Sequence, residues 1–303
     1  MVKKSKRRLW RLFLTDAFIF GVCLVVFALF HHVLERLVVP GEESAVMPTV
    51  FDMDVSRFAT AETVEEGTDY YRDDTVFVTV KTVQADGAVY HIADVYLRDL
   101  SALKTAFATG EFVPGAKVST LSMARENGAV FALSGDYCGI RERGVVIRNG
   151  KAYRFGRAHD VCVLYCDGTM ETFAPATFHA EREWKKGIWQ AWDFGPELLE
   201  KDGRARTSFS PGIAGKNPRC AIGYYAPGHY AFVAVDGRQE QSEGMTLSEL
   251  AKLFEDLGCC RAYNLDGGHS AVMVWQGEMY SSPSKPGGRA ISDIIYLPKK
   301  ELS

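Results

Sequence analysis

Asp266-Gly267-Gly268-His269-Ser270 sets a carboxylate, two glycines, an imidazole and a hydroxyl in a row, entered from Tyr263-Asn264-Leu265 and followed by the apolar Ala271-Val272-Met273. Paired glycines permit positive φ and let a ligand approach the main chain closely. Polar groups displayed at a strand end are a common way to build a site. The same pattern also suits an ordinary tight hairpin. Charged residues sit beside glycine elsewhere too: Asp136 after Gly135, Asp236 and Arg238 around Gly237, and Arg289 after Gly287-Gly288, with Asp293 just beyond. Arg219 follows Asn217-Pro218. The guanidinium fork matches two oxygens of a phosphate or carboxylate, and bare backbone amides add donors. Nearby carboxylates could supply acid and base groups. For each residue taken alone, a surface salt bridge or a turn is the plainer reading; the joint pattern raises the case for an anion site.

His269 is a candidate proton donor or phosphate contact. Ser270 has no Ser-His-Asp order or G-x-S-x-G elbow around it, so a backbone or ligand hydrogen bond is its expected role. Asp236, Asp266 and Asp293 could gather around a divalent metal, but nothing in their spacing requires one. The chain has no G-x-G-x-x-G, P-loop or CxxC pattern, and no cofactor is expected.

The elements that must position these residues read as short strands. Val76–Val80 alternates, Asp86-Gly87 turns, and Val89–Leu97 follows as a second strand. Leu100–Ala108 has helical spacing. Thr120–Asn127 fits a helix with Thr120 as its N-cap, and Ala129–Leu133 a buried strand running into Ser134-Gly135-Asp136-Tyr137. Hairpins are predicted at Asn149-Gly150, Asp167-Gly168, Pro227-Gly228 and Gln276-Gly277. Thr246-Leu247-Ser248-Glu249 is a capping box that opens a helix with Leu247, Leu250, Ala251, Phe254 and Leu257 on one face. Trp184, Trp189 and Trp192 precede Asp193-Phe194-Gly195-Pro196; they could cradle a sugar, with core packing as the competing reading. Ile291–Leu297 is the last predicted strand. Many short strands and few helices give an α+β fold class with a mixed or antiparallel sheet core.

The totals allow a substantial core: 303 residues, 47% hydrophobic and 24% charged. A net charge of -3 argues against a nucleic-acid partner. Lys3, Lys4, Lys6, Arg7, Arg8 and Arg11 precede the apolar run Ala17–Phe30, which with Leu12, Phe13 and Leu14 is expected to be long enough to span a bilayer, which needs ~20 residues. A signal peptide would show a small-x-small cleavage site, and none follows Phe30. The expected organisation is therefore a basic cytoplasmic tail (1–8), a membrane anchor (9–38), an acidic stalk (39–74) and one extracytoplasmic domain (75–298) at the cell membrane. Of seven cysteines, Cys23 lies in the apolar run. Cys162 and Cys166, on one strand, stand roughly 13 Å apart, beyond bridging distance. The cysteines read as small buried hydrophobes with at most one disulfide.

Asn264-Leu265-Asp266-Gly267-Gly268-x-Ser270 resembles the signature of the phosphodiester glycosidase family, which has lysosomal members and bacterial members tied to exopolysaccharide. Asn127-Gly128-Ala129-Val130, Ser134-Gly135-Asp136-Tyr137, Gly144 through Asn149-Gly150, Phe194-Gly195-Pro196, Asn217-Pro218-Arg219, Asp236-Gly237-Arg238, Gly244-Met245-Thr246-Leu247 and Arg289 through Asp293 are similar in order, over roughly residues 75–298. The chain departs where the family has a third glycine, here His269, and an asparagine, here Ser134. The resemblance implies a hydrolase that cuts a sugar-1-phosphodiester of an envelope or extracellular glycan between anomeric carbon and phosphate oxygen. It would place the phosphate on Arg219, Arg238, Arg289 and the amides of Gly267 and Gly268, with Asn264, Ser270 and Asp293 lining the site. Asp266, with Asp236 or Asp136, would be base or nucleophile. The alternatives are a non-catalytic glycopolymer-binding module, which His269 and Ser134 favour, and a metal-dependent phosphodiesterase.

Overall fold

A computed structural model describes residues 2–32 and 41–301, with side chains of the first helix described at Trp10 and from Phe13 to Leu29. The chain divides into two units, Met1–Pro40 and Gly41–Ser303. The first is helix α1 (Val2–His32). Phe13, Phe18, Phe20 and Phe27 on it are exposed. Among the described residues no helix is long and apolar enough to cross a membrane, so the expected spanning anchor is not supported. A helix forms, and Asp16 interrupts its apolar run. The basic side chains Lys3, Lys4, Lys6, Arg7, Arg8 and Arg11 and the segment 33–38 lie outside the described residues.

The second unit is built from three sheets. A seven-stranded sheet runs β1 (Glu65–Glu66), β2 (Tyr70–Arg72), β3 (Val76–Ala85), β4 (Ala88–Leu97), β13 (His229–Val235), β12 (Arg219–Ala226), β14 (Arg261–Leu265). A five-stranded sheet runs β10 (Met170–Phe173), β9 (Val161–Tyr165), β11 (Ile188–Asp193), β7 (Val146–Arg148), β8 (Lys151–Arg154). The other runs β16 (Glu278–Met279), β15 (Met273–Trp275), β6 (Ala129–Ser134), β17 (Asp293–Pro298), β5 (Lys104–Phe107). Every ladder between these strands is antiparallel. The fold is therefore α+β, mainly β, with few helices.

One core joins all three sheets. Val78 and Val95 from the first, Leu164 and Trp192 from the second, and Phe131 and Ile295 from the third belong to the same buried cluster. Helix α5 (Leu247–Asp256) covers the other face of the seven-stranded sheet. Its capping box forms as predicted: Thr246 Oγ1 accepts from Glu249 N, and the Glu249 carboxylate accepts from Thr246 N. Leu247, Leu250, Ala251 and Phe254 are buried against Ala221 and Val233. Each Leu or Phe so buried stabilises by ~1.5–3 kcal/mol.

Several local expectations are corrected. Leu100–Ala108 is not a helix: a 3-10 turn at Leu100–Ala102 hands over to strand β5. Thr105 and Phe107 point inward there, a two-residue repeat that the row of small residues disguised. Helix α2 (Thr120–Glu126) is capped by Ser119, whose side chain accepts from Ser122 N, rather than by Thr120. Residues 41–74, expected as a stalk, lie along the domain: Gly41 N donates to Ala152 O, Thr49 N to Cys166 O and Phe51 N to Arg98 O. The cysteines are all free. Trp192 is core, Trp189 donates through Nε1 to Leu103 O, and Trp184 packs edge-on to Phe155, so none is a sugar platform at the glycine turn.

Candidate active site at the convergence of the three sheets

Antiparallel pairing brings strand ends from all three sheets together. Cys220 pairs with Leu265 and Arg219 with Val235, so β12, β13 and β14 finish at one edge. Ile294 pairs with Ser134, placing Asp293 beside Gly135 at the edge of β6 and β17. β11 ends at Asp193. Backbone bonds stitch these edges together: Asp266 N donates to Gly135 O at 3.1 Å, Gly135 N to Asp293 O at 3.0 Å, and Gly268 N to Pro218 O at 2.8 Å. Ser134 Oγ donates to Ser270 O at 2.6 Å. The serine that replaces an expected asparagine thus pins the glycine turn to β6.

Gly267 is required by contact and Gly268 by its backbone conformation. A Cβ at Gly267 would lie 2.6 Å from Pro218 O. Gly268 has φ +61, and a Cβ there would meet the Arg238 guanidinium at 3.5 Å.

Asp266 is buried, and its carboxylate accepts from Arg289 Nη2 at 2.9 and 3.3 Å. Arg289 Nε donates to the fully buried Ser270 Oγ at 2.8 Å, its N donates to His269 O, and its guanidinium lies 4.6 Å from the Tyr137 ring centroid. Yet 40% of the Arg289 side chain remains exposed. It is a braced cation with an open face, beside a carboxylate whose pKa is raised by burial, against the opposing pull of Ser270, Arg289 and Arg141.

A second carboxylate set lies beneath. Asp136 and Asp293 are both buried and both bonded to Arg148, itself 1% exposed: Nη2 donates to Asp136 Oδ1 at 2.7 Å and to Asp293 Oδ2 at 3.0 Å. Burial, then the Asp136 charge, pushes Asp293 up to about 6. Asp136 also accepts from Cys138 N and Asp193 N. Asp136, Cys138 and Asp293 bring potential metal-ligand atoms within 4.8 Å of one another. The Arg148 cation already lies against both carboxylates, and burial holds the Cys138 thiol protonated. This donor set fits an ion-pair network better than a metal.

The other expected site residues are placed as follows. The Asp236 carboxylate is closed off by His91 Nε2 at 3.0 Å and Ser282 N at 2.9 Å. Arg219 spends its donors on carbonyls, Nε on Met245 and Nη2 on Ile213 and Gly215, while burial and then Arg238 lower its pKa to about 10. Arg238 is exposed and donates to Asn217 Oδ1 at 2.7 Å. Asn264 donates through Nδ2 to Gly195 O, and its buried Oδ1 has no hydrogen-bond partner among the described residues. His269 is exposed with Nδ1 3.0 Å from Ser284 Oγ. Asp266, Gly267, Gly268, Ser270, Arg238 and Arg289 thus meet at one turn, and Asp136 with Asp293 directly behind it.

Sequence reasoning missed Arg148, Arg141 and Asp193. Arg148 closes a strand in which every residue is buried, and an arginine there was the available signal. Arg141 donates to Asp193 O at 2.9 Å and lies 4.4 Å from the Phe194 ring centroid, in a cleft of about 360 Å³. A larger cavity, about 590 Å³, opens beside Tyr165 and Glu171. It lies at the far end of the second sheet, since Tyr165 pairs with Ile188 whereas Val161 pairs with Asp193. Its acids Glu171 and Glu197 are paired with Arg261 and Arg206.

Comparison with known proteins identifies the family and the fold. The model of the phosphodiester glycosidase family matches residues 127–297. The SPbeta prophage-derived uncharacterized protein YomE of Bacillus subtilis is 31% identical over 191 residues, 59% of this chain and 29% of that protein. The N-acetylglucosamine-1-phosphodiester alpha-N-acetylglucosaminidase of Mus musculus is 36% identical over 89 residues, 29% of this chain and 17% of the enzyme. The chain thus spans less than a third of the length of either curated relative. The catalytic domain of the zebrafish enzyme of that name, auto-inhibited by its pro-peptide, shares the fold with a TM-score of 0.57 at 20% identity, covering 86% of this chain and 89% of that one. A hypothetical protein from Synechocystis does so with a TM-score of 0.51 at 14% identity, over 74% of this chain and 62% of that one. With the family's match running from the end of α2 to the last strand, this chain belongs to the phosphodiester glycosidase family.

Proposed function

We propose that the protein is a hydrolase that cleaves a sugar-1-phosphodiester between the anomeric carbon and the phosphate oxygen. The observation that carries this reading is the Asp266–Arg289 pair: a buried carboxylate and a braced, open-faced guanidinium at a turn stripped of side chains. Arg289 and Arg238 hold the phosphate from two sides of Gly268, and a charge-assisted contact there stabilises the negative charge that develops on the leaving oxygen. Asp266 faces the anomeric carbon. Arg219 braces the loop that carries Arg238, and the buried Asp136–Arg148–Asp293 network supports the floor. A glycosyl phosphate departs readily as an anion, so no strong general acid is required.

The relative from Mus musculus is named for release of N-acetylglucosamine from a phosphodiester, and that substrate class is the first to test. An envelope or extracellular glycan, reached by a domain outside the cytoplasm, is the biological substrate this reading favours. The basic cluster ahead of the apolar run in the sequence is what favours a location outside the cytoplasm. Protection of the domain from protease added to intact cells would overturn that location.

The assay is release of N-acetylglucosamine from a synthetic N-acetylglucosamine-1-phosphodiester by the purified full-length chain. Asp266→Asn should lower turnover by about 10²-fold or more while leaving the unfolding midpoint near wild type. Normal turnover in that variant sinks the assignment. Glycan binding without turnover by the wild type would instead make the domain a binding module.

A further inference from the structure

The cleft beside the glycine turn contains a second acid–base unit, contributed by residues that the reading above does not use. His159 lies in the turn before β9 and is 48% exposed. Its Nδ1 lies 3.0 Å from Asp193 Oδ1, an oxygen that can only accept, and its own backbone N donates to the same oxygen at 3.1 Å. Ala158 N and Val145 N donate to Asp193 Oδ2 at 3.0 and 3.3 Å. The Asp193 carboxylate is buried, and the loop closes on it so tightly that a Cβ at Gly144 would lie 2.7 Å from its carbon. It is a fixed acceptor. The imidazole is held by a backbone bond and a ring bond on one side, and its Nε2 has no partner among the described residues. A carboxylate behind Nδ1 sets the tautomer that leaves a lone pair on Nε2.

This unit belongs to the same site as Asp266. Arg141 Nη1 donates to Asp193 O and lies 3.0 Å from His159 Nδ1 as a neighbour rather than a bond partner when Nδ1 carries its proton, and the Arg141 charge also acts on Asp266. Tyr263 on β14, just ahead of Asp266, accepts at Oη from Phe194 N and donates to the carbonyl of Asp160, next to His159. His159, Arg141, Arg143, Glu142 and Ala158 line the cleft. The charged groups around the imidazole are Asp193 from β11, Arg141, Glu142 and Arg143 from the loop before β7, and Arg157 and Asp160 on its own turn.

We infer that His159, positioned by Asp193, is the proton-accepting residue of this site, and that Arg141 is a further phosphate-binding cation. The inference rests on the sugar-1-phosphodiester reading. Water oxygen forms a bond to the anomeric carbon as the bond from that carbon to the phosphate oxygen breaks, and the bonding pair leaves on the phosphate. His159 Nε2 takes the water proton, Asp193 offsets the imidazolium charge, and the proton passes to solvent. Asp266 is bonded to Arg289 through both oxygens, which occupies its lone pairs and leaves it facing the positive charge that grows on the sugar ring.

The test uses the full-length chain and the same synthetic diester. His159→Gln should lower kcat by about 10²–10⁴-fold with KM little changed, and should remove one limb of the pH–rate profile. His159→Gly should regain turnover when imidazole is added, which a structural role would not give. Asp193→Asn should shift that limb, while His159→Gln, at a half-exposed position, keeps the test independent of folding. The inference is overturned if His159→Gln retains wild-type kcat and pH profile while Asp266→Asn is inactive. That result leaves the hydrolase reading standing. A wild-type chain that releases no sugar from any sugar-1-phosphodiester overturns both.

Discussion

Arg148→Met is expected to cost about 3–5 kcal/mol of stability near pH 8, the range for stripping a buried ion pair of one partner. The loss follows from the surroundings of Arg148. Its guanidinium makes one bond to Asp136 and two to Asp293, and donates to the carbonyls of Ile147 and Ala191. The two carboxylates are 1% and 0% exposed, so neither can turn to water when the cation goes. Methionine fills similar volume, which keeps the cavity contribution small. Against a total stability of ~5–15 kcal/mol, this is a large share.

The deficit carries a pH signature. Asp293 is raised from 3.8 to about 6 in the folded protein, by burial and then by Asp136, with Arg148 opposing. A raised folded pKa means that the folded state binds the proton more tightly. The stability this group contributes is fully present below about 3.8 and is lost as pH rises through about 6. Without Arg148 the folded pKa rises further, so the variant's deficit should grow from near pH 5 to near pH 8. Urea unfolding of the full-length chain at both pH values measures it, and Asp293→Asn in the same background should recover part of the loss at the higher pH. A deficit below about 1 kcal/mol near pH 8, against the range expected for a buried pair, would refute the reasoning, as would one that is equal at both pH values.

Three further outcomes are expected. Gly135→Ala puts a Cβ 2.3 Å from Asp293 Oδ2, so it should destabilise by about 1–3 kcal/mol and lower turnover by displacing both Asp293 and the backbone that holds Asp266; thermal unfolding and the diester assay check both. Thr246→Ala removes one half of a capping box and should cost about 1 kcal/mol in urea unfolding, with turnover unchanged. Because burial raises the Asp266 carboxyl, turnover should fall on the acid side at a pH above the ordinary carboxylate value, as protonation removes the required anion; a pH–rate profile shows where that limb lies.

What the sequence by itself determined is local. Hairpins at Asp86-Gly87, Asn149-Gly150 and Gln276-Gly277 form because these turns follow from adjacent residues. The capped helix α5 forms because its box and its apolar face lie within one short segment. The ordered motifs identify the family for the same reason: each is a short run readable without knowing what it touches. The pairing of distant charges was not readable in this way. Asp136, Arg148 and Asp293 are brought together across two sheets, and Asp193 with His159 across a strand and a loop, so no local spacing announces either set. Arg219 follows Asn217-Pro218 and Asp236 stands beside glycine, much as Arg289 and Asp266 do, yet carbonyls take the Nε and Nη2 donors of the first and His91 closes off the second. Which charged groups remain open to a ligand depends on which neighbours satisfy them after the chain folds. Sequence displays the polar groups, and only tertiary packing decides which are already paired.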